Sequence, residues 1–239
     1  MKKLISRFIK YVVQKIAYDI EEPKKSFFQL RKLAYKESAQ FMGKQLCGSM
    51  LFTDLHKFWS YAINQIPEKG ILFEFGVYSG SSINYFSSII KNRNIYGFDS
   101  FEGLSENWIG SFLPKGTFNR RGVMPKVNNN VELIKGLVED TLPSFVEKNN
   151  IQHKKIAFIH FDFDIYAPTK FAFQLLRPHF KSGTIIVFDE LLGYPGWKEN
   201  EYKALQEVLK EHEYEFFGFC EPSIRHEARS FIKAAIRIL

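Results

Sequence analysis

Two acidic pairs mark the second half of the chain. "HFDFDIYAPTK" carries Asp162 and Asp164, and "VFDELLGYPGW" carries Asp189 and Glu190. Each pair follows a short apolar run, and acids are seldom placed at buried strand ends for packing alone. Carboxylates gathered at one place repel one another, and a divalent cation relieves that cost. Donor sets made only of carboxylate oxygen suit Mg²⁺, Mn²⁺ or Ca²⁺. Capping and pairing with Lys170 or Lys198 is the structural alternative. Two further acids follow apolar runs. Asp99 lies in "IYGFDSFEGL", and Glu74 opens "LFEFGVYSGSS" just before Gly76 and Gly80.

What must position these residues is the alternation of apolar runs and helical patterns that begins at Ile71. Strands are expected at 71–75, 94–98, 131–135, 156–161, 184–188, 214–219 and 230–237. Helices are expected near 80–91, from Thr141-Leu142-Pro143, from Pro168 and near 197–211. Such alternation implies an α/β fold, a Rossmann-like seven-stranded, mostly parallel sheet with helices on both faces. The last two strands lack a helix between them, which predicts an antiparallel C-terminal hairpin at the sheet edge. Ligands of such sheets bind at the carboxyl ends of the strands, where the acids fall. Upstream, a helical stretch covers about 26–46, and Asp54 reads as the N-cap of a helix carrying Phe58, Trp59 and Ile63. Residues 104–127 form a long loop with Trp108, Phe112 and Phe118, read as a lid. The division expected is a basic helical N-terminal extension, 1–50, and a body, 51–239.

The glycine turn narrows the ligand. A phosphate loop of the GxxxxGK[ST] kind is excluded, because no Lys lies between Gly76 and Lys91. A dinucleotide turn needs a glycine where Tyr78 stands, and the Glu74 carboxylate would repel a pyrophosphate. S-adenosylmethionine (SAM) fits better: it has no phosphate, its methionine end carries an ammonium, and its ribose needs an acid such as Asp99. Phe98 or Phe101 would contact the adenine. Two YxxxK patterns, Tyr194–Lys198 and Tyr166–Lys170, suggest a short-chain dehydrogenase. Pro195 and Gly196 deny the first a helix. In the second, Pro168 is expected in the first helical turn, which leaves Tyr166 outside the helix.

Charge adds a second argument. The net charge is +7, and residues 1–50 hold all of it, with 11 Lys/Arg against 4 Asp/Glu. The body is neutral, which argues against a nucleic-acid partner. The segment MKKLISRFIKYVVQKI alternates apolar and basic residues with helical period. Packing on the body or on a second subunit, as in a homodimer, is favoured over peripheral membrane contact through residues 1–17. Cys47 and Cys220 lie far apart, which suits a cytoplasmic setting.

With these motifs in order, the chain resembles the class I SAM-dependent methyltransferases of the macrocin O-methyltransferase type. "FEFGVYSGSS", "GFDSFEGLSENW", "NVELIKGLVEDTLPSF", "HFDFDIYAPT" and "IIVFDELLGYPGWKENEYKA" carry the likeness over about 71–210. The resemblance implies SAM as methyl donor, Mg²⁺ or a similar ion, and a sugar, glycan-precursor or natural-product hydroxyl as acceptor. It implies donor binding by Glu74, Gly76, Gly80, Asp99 and Ser100, with Tyr78, Ser81 and Phe101 in the same turns. Glu139 or Asp140 would lie near the adenine. Asp162 would touch the donor, ligate the metal and serve as base, a role shared with Asp164. Asp189 and Glu190 would complete the metal set, Glu190 standing where well-studied members have an aspartate. His160 and Phe163 also depart from the pattern. Trp197 is assigned either to a sugar ring or to the core. Two other readings remain: a metal-independent enzyme methylating nitrogen or a phosphate-type oxygen, and a non-catalytic SAM-binding protein at a membrane surface.

Overall fold

Strands that are buried at every position belong between two helical layers, and β5 (Ile156–Phe161), sequence IAFIHF, is buried along its whole length. A computed structural model of the chain describes residues 25–222 and 231–239. The expected amphipathic helix of residues 1–17 and His226 lie outside the described residues.

Around β5 the elements run in the order α1 (Ser26–Lys44), β1 (Met50–Phe52), α2 (Leu55–Ile63), β2 (Ile71–Phe75), α3 (Ser81–Ile89), β3 (Ile95–Asp99) and β4 (Val131–Lys135). After β4 come α4 (Val138–Lys148), β5, α5 (Tyr166–Leu176), β6 (Ile185–Leu192), α6 (Glu201–Val208), β7 (Tyr214–Cys220) and β8 (Ile232–Ile238). They build one eight-stranded sheet of order β1-β7-β8-β6-β5-β2-β3-β4. Every neighbouring pair is parallel except the two that β8 makes, with β6 and with β7.

Seven of these strands are the expected ones, and the sheet gains an eighth. The short β1 pairs in parallel with β7 at the edge. The terminal antiparallel pair is therefore not at the edge, since β8 is inserted between β6 and β7. Two helix starts also differ. Helix α4 begins at Val138, so Pro143 lies inside the helix and not in its first turn. Helix α5 begins at Tyr166, with Pro168 in its first turn. Tyr166 is thus helical, and Lys170 Nζ donates to its hydroxyl at 2.7 Å. That hydroxyl in turn donates to Glu207. This YxxxK pair is a contact between α5 and α6. The Asp54 cap forms as expected, accepting from Lys57 N at 2.9 Å.

Side-chain alternation divides the core in two. Leu72, Phe158, Val187 and Ala235 face α2 and α3, packing on Phe58, Trp59 and Phe86. Phe73, Phe75, Phe161 and Phe188 face the other layer, with Phe145 of α4, Phe173 of α5 and Leu205 of α6. Phe75, Phe161 and Phe188 stack in a row across three strands at 5.4 and 5.5 Å. Each fully buried phenylalanine contributes roughly 1.5–3 kcal/mol. That rigid row fixes the carboxyl ends of the strands.

Candidate active site

The β2–α3 turn is held from two sides. Gly76 has φ +88°, and a Cβ there would overlap the carbonyl oxygen of Asp162, so only glycine lets the β2 and β5 ends meet. From the other side, Asp99 Oδ2 accepts from the backbone N–H of Val77 and Tyr78 at 2.9 and 2.7 Å, and Oδ1 accepts from Phe101 N at 2.6 Å. Oδ2 is filled by its two donors, and Oδ1, with one, keeps a lone pair for a ligand.

Over these ends lies a cavity of about 340 Å³, within the range of small-molecule sites. Its wall brings together Gly76, Tyr78, Asp99, Ser100, Glu139, Asp162, Asp164 and Glu190 of the expected residues. The long loop closes it with Leu104, Trp108, Leu113 and Phe118. That loop is docked on the β6 exit: Asn200 Nδ2 donates to Ile109 O at 3.0 Å.

Other expected residues lie elsewhere. Gly80 caps α3 and Ser81 starts it on the exposed side, while Asp140 faces solvent. Phe98 and Phe101 are core side chains, so neither forms a wall for adenine. Trp197 is buried against Phe41 and Tyr202 and is a core residue. Glu74 is fully buried and turned from the cavity. Ser82 Oγ donates to Glu74 Oε1 at 2.9 Å, and His160 Nδ1 lies 3.3 Å from Oε2.

Glu74 begins a buried chain of charges on the α2–α3 face. His160 Nε2 lies 3.6 Å from Asp189 Oδ1, and Lys233 Nζ donates to Asp189 Oδ2 at 2.7 Å. Burial opposes a charge on His160, but Asp189 and Glu74 outweigh it and raise its pKa to about 9. Burial likewise pushes the Asp189 carboxyl up, yet Lys233 and His160 overcome it and hold the group below the usual carboxylate range. Burial raises the Glu74 carboxyl above its ordinary value, against the pull of His160 and Ser82.

Asp189 therefore does not join the cluster it was assigned to. At the irregularity of β6 between Phe188 and Leu192, Asp189 bonds Lys233 while Glu190 lines the cavity. The carboxylates that gather are Asp162, Asp164 and Glu190, each offering an oxygen within 4.8 Å of the others. Glu190 Oε2 is buried without a hydrogen-bond partner. Burial raises the Asp162 and Glu190 carboxyls well above the usual range, with the Asp189 charge adding to it. Burial pushes Asp164 up to about 7. Three oxygen donors with one unpaired atom fit a hard divalent cation.

Lys233 was not anticipated. Its signal was present: a lysine within the largely apolar strand "FIKAAIRIL", whose other charge, Arg237, lies near the end. A buried lysine requires a partner, and Asp189 supplies it.

An open α/β sheet with a glycine turn, an acid after the next strand and a cavity over both is the architecture of a nucleotide-type ligand site. Residues 73–191 match the family model described as a methyltransferase domain. The chain is similar to the crystal structure of CalS11, calicheamicin methyltransferase, at 24% identity and TM-score 0.56 over 76% of each chain. It is similar to the apo structure of CalS11, TDP-rhamnose 3'-O-methyltransferase, at 25% identity and TM-score 0.50, again over 76% of each. The O-methyltransferase NovP aligns over 77% of each chain at 17% identity and TM-score 0.46. A search of curated protein sequences gives no match. Over residues 73–191 the chain is similar to the methyltransferase domain family, and its fold is similar to that of CalS11.

Proposed function

We propose that the protein transfers a methyl group from SAM to a hydroxyl of a sugar or related small-molecule acceptor, with a divalent ion held by the carboxylate trio. One observation carries this reading: the Gly76–Asp99 turn and the Asp162–Asp164–Glu190 trio open into the same cavity. A donor on the turn and an acceptor at the trio would then meet. The CalS11 structure described as a TDP-rhamnose 3'-O-methyltransferase supports a sugar hydroxyl as the acceptor. So does the motif resemblance to the macrocin O-methyltransferase type.

Asp99 would accept a hydrogen bond from a ribose hydroxyl through the free lone pair of Oδ1. Gly76 and Asp162 line the part of the cavity where the methionine end would lie. Val138, Glu139 and Phe118 line the side where adenine would lie. Trp108, Leu113 and Phe118 exclude water, which strengthens every charge interaction inside. The donor supplies an electrophilic methyl group on its sulfonium. A divalent ion, held by Asp162, Asp164 and Glu190, would lower the pKa of the acceptor hydroxyl. Asp162 and Asp164 are the cavity carboxylates placed to take the hydroxyl proton, and burial has raised the proton affinity of both.

The test is SAM turnover against a panel of nucleotide-activated sugars, with Mg²⁺ and then with EDTA. The expected result is an alkali-stable methyl ether whose formation EDTA suppresses. A methylated nitrogen or carboxyl group as product contradicts the reading. A metal-independent reaction is the second reading, and the Lys233 ammonium 3.8 Å from Glu190 Oε1 favours it.

A further inference from the structure

Lys233 is buried, charged and set against the acidic trio, opposite an irregularity in β6. Phe188 pairs with Ala234 and Leu192 with Ile232, so Asp189, Glu190 and Leu191 stand against the single residue Lys233. Bulges of this kind re-aim side chains near active sites. Here the bulge lets consecutive acids take different partners. Lys233 Nζ donates to the Asp189 carboxylate at 2.7 Å and to the Asp189 carbonyl at 2.9 Å. An ammonium has three donors, so one is left. Lys233 also lines the cavity, and Glu190 Oε1 lies 3.8 Å from Nζ. The ammonium is therefore pinned by Asp189 beside the place where a divalent ion would enter.

We infer that Lys233 is a fixed counter-cation of the Asp162–Asp164–Glu190 trio, and that it lowers the affinity of the trio for a divalent ion. The inference rests on the metal reading proposed above. Its physical basis is direct. Two positive charges about 4 Å apart repel appreciably even at the effective dielectric of a partly wet site. Lys233 also has no freedom to swing away, because burial and two hydrogen bonds hold it. The donor turn does not depend on it, since Asp99 holds that turn through backbone contacts of its own.

The experiment is Mn²⁺ binding, read by electron paramagnetic resonance of the free ion, on the full chain and on Lys233→Gln and Lys233→Arg. S-adenosylhomocysteine affinity reports the integrity of the donor site. The expected result is at least tenfold tighter Mn²⁺ binding by Lys233→Gln, with Lys233→Arg within about twofold of the unaltered chain. Binding by Lys233→Gln alone, with none by the unaltered chain, also supports the inference. Equal affinity in all three overturns it and leaves the metal reading standing. No Mn²⁺ binding by any of them overturns the metal reading and the inference together. If Lys233→Gln loses S-adenosylhomocysteine binding, the comparison moves to Asp189→Asn against Asp189→Asn/Lys233→Gln. These two differ only in the ammonium and leave no unpaired carboxylate at 189. The same tenfold tightening is expected, and equal affinity overturns the inference.

Discussion

The carboxylate of Asp99, at the end of β3, holds the backbone N–H of Tyr78 at 2.7 Å, so an acid of the cavity wall also builds the β2–α3 turn. The same group accepts from Val77 and Phe101. Asp99→Ala therefore removes a ligand contact and leaves three backbone donors without their partner. Leaving a buried donor unsatisfied costs about 1–3 kcal/mol. Calorimetry should show S-adenosylhomocysteine binding weakened at least tenfold, and unchanged affinity would sink the ribose assignment.

Gly76 is the point where β2 and β5 touch. An alanine there would meet the Asp162 carbonyl at a positive φ that side chains rarely adopt. Gly76→Ala should destabilise the protein by about 3 kcal/mol or more and abolish donor binding. Thermal unfolding checks it. A variant with the original melting temperature would mean that the strand ends are looser than described.

The carboxylate assignment predicts an asymmetry between neighbours. Asp164→Asn or Glu190→Gln should weaken Mn²⁺ binding at least tenfold while sparing S-adenosylhomocysteine. Asp189→Asn should act chiefly on stability, since it strips the buried Lys233 of its carboxylate partner. Breaking a buried pair in this way costs roughly 3–5 kcal/mol. The reverse pattern, with Asp189→Asn abolishing metal binding and Asp164→Asn harmless, would place the ion on the other face of β6.

His160 gives a pH signature. Its pKa is raised to about 9 in the folded chain, from about 6.5 when unfolded, because Glu74 and Asp189 outweigh burial. The folded state holds the proton more tightly. The stabilisation is therefore complete below about pH 6.5 and is lost as pH rises through about 9. The melting-temperature gap between the unaltered chain and His160→Gln should narrow over that window. A gap independent of pH would mean that His160 is neutral between its two acids.

Most of the sheet was legible in the sequence because its strands are short apolar runs at regular spacing, and the cavity follows from the rule that ligands sit at their carboxyl ends. The three-residue strand Met50–Phe52 was not, because its pairing with β7 and not its own pattern makes it a strand. The acids of the site were visible as types. Their directions were not. Asp189 and Glu190 are adjacent letters, yet one joins Lys233 and the other the cavity. Glu74 precedes the glycine turn in sequence but lies beneath it in space, bonded to Ser82. The Tyr166–Lys170 pair shows the same limit from the other side: Pro168 fits the first turn of α5, and the helix starts two residues before it.

The central claim is that the cavity over Gly76 and Asp99 binds the methyl donor. Calorimetric titration of the full chain with S-adenosylhomocysteine tests it most directly, with NAD titrated alongside. The account predicts saturable binding of S-adenosylhomocysteine at one site per chain, lost in Asp99→Ala, and no heat from NAD. Binding of NAD without S-adenosylhomocysteine would contradict it.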